Sequence, residues 1–114
     1  MRAIKFKAKN INGGWVYGSF LSSEIAIIDE FGAKYYIEPE TLCQFVGITD
    51  RNGVEVYEDD LVQSKRGNTG RVVYSDLAWQ VAWENVPMLR PLCYCIGAFV
   101  VIGNIHDSNY DHHD

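Results

Sequence analysis

The chain has no apolar run approaching the roughly 18 residues that a membrane-spanning helix needs. Its basic start, MRAIKFKAKN, is not followed by the apolar stretch of a signal peptide. Cysteine is scarce and odd in number, three in all, with no C-x-x-C pair. That excludes a disulfide framework and a zinc site of the usual spacing, so all three are expected to be reduced, metal-free thiols. These absences together point to the cytoplasm. Basic charge is also short: ten Lys and Arg stand against fifteen Asp and Glu, a net charge of −5. Such a balance repels nucleic-acid phosphates and anionic membranes unless the basic groups cluster.

What is present is ordinary for a globular protein. Hydrophobic residues make up 47% and charged residues 22% of 114 positions, enough for one domain with a real core. Period-two alternation dominates. Ile4, Phe6 and Ala8 alternate with Lys5, Lys7 and Lys9, the pattern of a half-buried strand. The turn cluster Asn10–Gly14 leads to a second strand over Trp15–Leu21. Glu24–Ile28 and Ala33–Ile37 flank the break DEFG and read as another hairpin. Pro39 stops that strand and opens a single helical turn over Glu40–Leu42. Gln44–Ile48 and Val54–Tyr57 flank Asp50-Arg51-Asn52-Gly53, a hairpin signal because Asn and Gly tolerate positive φ. Leu61–Lys65 and Arg71–Ser75 flank a polar loop, Trp79–Trp83 reads as a strand, and Val86–Pro91 reads as a loop. Leu92–Ile105 is strongly apolar with breaks at Gly97 and Gly103, and residues 108–114 form a polar, frayed tail. Short strands with turns every 8–12 residues or so indicate an all-β sandwich or barrel.

Three blocks of the chain closely resemble the YopX family, small proteins of phages and prophages. The first is Arg2–Ala8 with Trp15, Tyr17-Gly18 and Leu21. The second is Pro39-Glu40-Thr41, Gln44-Phe45, Gly47-Ile48, Asp50–Gly53, Glu55–Glu58 and Asp60–Val62, and the third is Val101–Asp107. The family usually carries Gly where this chain has Cys43 and Asp59; Asp tolerates left-handed geometry, so Asp59 is expected to preserve its turn. The resemblance implies an all-β fold with an SH3-like barrel formed by residues 44–107 and an additional N-terminal antiparallel β segment over 1–43. It implies no activity.

Several residue groups invite a functional reading. Asp50, Asn52, Gly53 and Glu55 evoke a calcium loop, but Gly stands fourth rather than sixth, so a turn is the better reading. Glu58-Asp59-Asp60 suggests a cation site or a metal-assisted hydrolase acting through Glu58 and Asp60. Against that, strand alternation sends neighbours to opposite faces, and Asp60 is well placed to cap backbone N–H groups. Asp50, Asn52, Gly53, Tyr57 and Asp60 are therefore read as a structural motif, with Val54 and Val56 on one face and Glu55 and Tyr57 on the other. Cys93 and Cys95 share a face if they lie on a strand, and are read as buried thiols. His112 and His113 are read as part of the tail, and His106 has no partners for catalysis. Trp79, Val81 and Trp83 form an aromatic stripe that is either core or a ligand platform. Lys5, Lys7 and Lys9 form a basic stripe, expected on an edge strand, where lysines block edge pairing.

These features favour a phage or prophage accessory protein that acts by binding a protein partner, without catalysis, cofactor, metal or membrane. The rival readings are nucleic-acid binding through the Lys5/Lys7/Lys9 face and a metal-assisted hydrolase acting through Glu58 and Asp60; a homo-oligomer is compatible with each.

Overall fold

Four hairpin turns are built to one design: Asn10–Gly14, Asp29–Ala33, Asp50–Val54 and Ser64–Asn68. In each, the first residue's N–H donates to the fifth residue's carbonyl, and the fourth residue's N–H donates back to the first carbonyl. The fourth residue is always glycine, held at φ between +82° and +94°. The first is Asn, Asp, Asp or Ser, whose side-chain oxygen accepts a backbone N–H inside the turn. This is a three-residue loop with a glycine bulge. The expected turn at Asn52-Gly53 is thus present, but Gly53 alone takes positive φ and Asn52 does not.

The computed structural model describes residues 5–95 and 97–107. Arg2, His112, His113 and the tail 108–114 lie outside them. Among the described residues every strand pairing is antiparallel and there is no α-helix. No helix among them is long and apolar enough to cross a membrane. The chain divides into two compact units, Met1–Phe45 and Val46–Asp114.

In the first unit, strands β1 (Phe6–Lys9), β2 (Trp15–Leu21), β3 (Ala26–Ile28) and β4 (Lys34–Tyr36) lie in the order β4-β3-β2-β1. A 3-10 turn over Pro39–Thr41 then brings in β5 (Cys43–Thr49), whose residues Cys43 and Gln44 pair with Lys7 and Phe6. Strand β1 is therefore flanked on both sides, and the expectation of an edge strand is overturned. Ala8, Ile27 and Ile37 form the buried core, with Phe6, Val16, Phe20 and Leu42 packed against it. Gly18 admits no side chain: a Cβ there would collide with the Ile28 carbonyl.

In the second unit, the rest of β5 neighbours β6 (Glu55–Tyr57). Strands β7 (Asp60–Ser64), β8 (Thr69–Ser75), β9 (Ala78–Trp83), β10 (Arg90–Pro91) and β11 (Phe99–Asn104) form a sheet in the order β10-β9-β8-β7-β11. The sheet is open, with β10 and β11 at its ends, so the expected architecture is met as all-β and antiparallel. The core is Val56, Val62, Val72, Val81, Leu92, Cys95 and Phe99. Gly70, opposite Trp83, is required by packing: a Cβ there would lie 2.8 Å from Val81 and 2.9 Å from the Trp83 ring.

Two local readings need correction, whereas Glu55 and Tyr57 do share a face of β6: the Tyr57 hydroxyl donates to Glu55 Oε1 at 3.2 Å. Leu92–Tyr94 is a 3-10 turn, so Cys93 and Cys95 do not share a strand face: Cys93 is exposed and Cys95 buried. Arg90-Pro91, read as loop, pairs with Val81 and Gln80.

Candidate functional site

The acidic string Asp50–Val62 is built as structure. Both carboxylate oxygens of Asp50 are engaged: one accepts the N–H groups of Asn52 and Val54 at 2.8 and 2.9 Å, the other the N–H of Val101 at 2.8 Å. Burial pushes the Asp50 pKa up, but these three N–H bonds and the Arg51 charge outweigh it and hold the carboxyl below its ordinary value. Asp60 is fully buried; it accepts the Tyr57 N–H at 2.8 Å and the Asn104 side-chain amide at 2.9 Å. The expected backbone capping by Asp60 is present. A carboxylate buried and engaged in this way cannot join Glu58 in holding a cation without breaking the turn.

Asp59 combines a turn position with side-chain partners brought from elsewhere in the second unit. It sits at φ +66°, so Asp does preserve the left-handed turn. One oxygen accepts from both Nε and Nη2 of Arg71, at 3.1 and 2.8 Å, and the other lies 3.3 Å from His106 Nε2. Asn104 ties the same corner together: its side-chain oxygen accepts the His106 N–H, and its own backbone N–H donates to the Asp107 carboxylate. The corner is a polar clamp between the start of β7 and the end of β11.

Lys7 and Lys9 share a face of β1 and Lys5 immediately precedes that strand, but all three ammonium groups lie against aromatic rings. Lys7 stands 4.6 Å and Lys9 5.8 Å from the Trp15 ring centroid, and Lys5 stands 5.1 Å from that of Phe45. Lys7 is only 8% exposed. These contacts use the lysines locally and leave little of Lys7 for a phosphate.

Trp79 and Trp83 pack against the second unit's core around Val81. Trp83 lies over Gly70, and the Cys95 thiol, which donates to the Pro91 carbonyl at 3.6 Å, is pushed up by burial. Tyr74 meets the Trp79 ring edge-on at 5.1 Å, and Trp79 borders an apolar groove of about 260 Å³ with Val46, Ile48, Ala78, Leu92 and Cys93. Beside it, β8 and β9 are joined by the two-residue turn Asp76-Leu77, with φ of +54° and +64°. Such turns favour Asn and Gly; a leucine with positive φ is an unfavourable choice. Leu77 is 89% exposed. Sequence reading missed this tip, although an apolar residue between two short strands is visible there.

No curated protein matches the chain. The family described as YopX protein matches residues 5–109, nearly the whole chain. On that match the chain belongs to the YopX family.

Proposed function

We propose that this YopX-family chain is a binding module that engages a protein partner through the Leu77 tip and the neighbouring groove. The observation that carries the reading is the tip itself. Two consecutive non-glycine residues hold left-handed backbone, which Asp76 tolerates and which costs Leu77 about 1 kcal/mol, and the result is a solvent-exposed leucine. Backbone strain that exposes an apolar side chain beside an apolar, aromatic groove is accounted for if both are covered by a partner. The reading places the protein in the cytoplasm of a bacterial host as a phage or prophage accessory factor. It takes the second unit as SH3-like, supported by the β7-β8-β9 meander and the return of β11 beside β7.

Charge favours a foreign partner over self-association. Residues 46–114 carry ten acidic and five basic side chains, so two copies repel, whereas a basic partner is attracted. The test is affinity capture from the bacterial host with the parent and with Leu77→Asp, alongside sedimentation of each. The reading requires a protein retained by the parent and lost by the variant. A concentration-dependent dimer abolished by Leu77→Asp, or the same proteins held by both, overturns it.

A further inference from the structure

The first unit carries a second feature, independent of the Leu77 tip. Among the four turns of common design, the third position holds Asn12, Asn52 and Arg66 in three and Phe31 in the fourth. Nothing in the turn geometry calls for an aromatic there, and Phe31 is 86% exposed. It overhangs a cleft of about 470 Å³ between the turn and the first half of β2, with Trp15, Tyr17 and Tyr35 among the lining residues. Gly18 lines the cleft with backbone alone, because a Cβ there would collide with the Ile28 carbonyl.

Charge is divided across this cleft. Asp29 and Glu30 lie on the turn, and Lys5 lies at the β1 side. The Asp29 carboxylate is held by the N–H groups of Phe31 and Ala33, both at 2.9 Å, which fixes the turn. Glu30 stands exposed next to Phe31. A nucleic acid would bring phosphates toward both carboxylates, and its bases would compete with Lys7 and Lys9 for the Trp15 ring. An extended peptide brings no phosphates, and its rings have Tyr17, Phe31 and Tyr35 to pack on without displacing Lys7 or Lys9 from Trp15. Proline rings pack on flat aromatic faces, the polyproline II backbone is already ordered, and one basic side chain complements Glu30.

We infer that the cleft between Phe31 and β2 binds an extended, proline-containing peptide with a basic residue directed at Glu30. Fluorescence anisotropy tests this with labelled proline-rich peptides of about ten residues, one carrying Arg and one carrying Glu at the same position, and with an oligothymidylate. The parent binds the Arg peptide saturably. Phe31→Ala, an exposed position that leaves the fold intact by circular dichroism, weakens it at least about tenfold. Glu30→Lys weakens the Arg peptide about fivefold or more and strengthens the Glu peptide. The inference is overturned if the parent fails to bind the Arg peptide, if Phe31→Ala binds it equally, if Glu30→Lys does not reverse the charge preference, or if the oligothymidylate binds in the peptide's place. Leu77→Asp leaves all these results unchanged, which separates this site from the proposed partner surface.

Discussion

The Asp50 carboxylate accepts the backbone N–H of Val101, fifty-one positions later in the chain, at 2.8 Å. The same side chain closes its own turn through Asn52 and Val54, so one residue fixes a local hairpin and anchors the last strand.

Asp50→Ala leaves three N–H groups without their acceptor and is expected to cost about 2–4 kcal/mol in urea unfolding. The effect depends on pH. Burial opposes ionisation, but the three N–H bonds dominate and the folded pKa lies below the ordinary value of 3.8. The unfolded chain therefore takes up the proton first as pH falls. The stabilisation is complete above the unfolded value and is lost as pH falls through the lower, folded one. The stability gap between parent and Asp50→Asn should be constant well above pH 3.8 and shrink as the pH falls below that value. A gap that stays constant there would contradict this origin.

Thermal melts should rank the acidic turn in the order Asp60, then Asp59. Asp60→Ala removes a buried acceptor from Tyr57 and Asn104 and is expected to cost about 2–3 kcal/mol. Asp59→Ala loses the Arg71 contact and places an unsuitable residue at φ +66°, for about 1 kcal/mol. Asp59→Gly should fall closer to the parent, because only the side-chain contact is lost and the backbone is relieved.

Two glycines should respond for different reasons. Gly53 has φ +82° and open space around it, so Gly53→Ala and Gly53→Val should each cost about 1 kcal/mol through backbone strain, and Gly53→Asn clearly less. Gly70 faces Val81 and Trp83, so Gly70→Ala should cost about 1–3 kcal/mol by overpacking, and Gly70→Asn more still. Chemical denaturation of the five variants distinguishes the two patterns.

The β8–β9 tip offers a trade between stability and binding. Replacing both tip residues, Asp76→Asn with Leu77→Gly, supplies the favoured turn and should stabilise by about 1 kcal/mol. The same variant should lose the captured partner. A variant that gains stability and keeps its partner would show that Leu77 is not a contact residue.

Thiol alkylation of the native protein should modify Cys93 first, because Cys43 and Cys95 are buried and burial keeps the Cys95 thiol protonated. Mass spectrometry before and after denaturation reads the order. Since Cys93 lines the groove, its modification should also weaken partner capture.

The sequence by itself determined the strands, the hairpins and the family. Alternation records which side of a strand faces apolar neighbours, and the Asn, Asp or Ser to glycine spacing records where the backbone must turn left-handed; both are local properties. The order of strands was not legible, because pairing joins residues far apart. Only the return of Cys43 beside Lys7 made β1 an interior strand and turned an apparent edge stripe into lysines resting on Trp15 and Phe45. Likewise only the fold assigned Asp59 to Arg71 and Asp50 to Val101, since a carboxylate's partners are set by what the tertiary structure brings within 3 Å of it. The exposed Phe31 and Leu77 stood in the sequence as ordinary apolar residues; burial elsewhere is what left them outside.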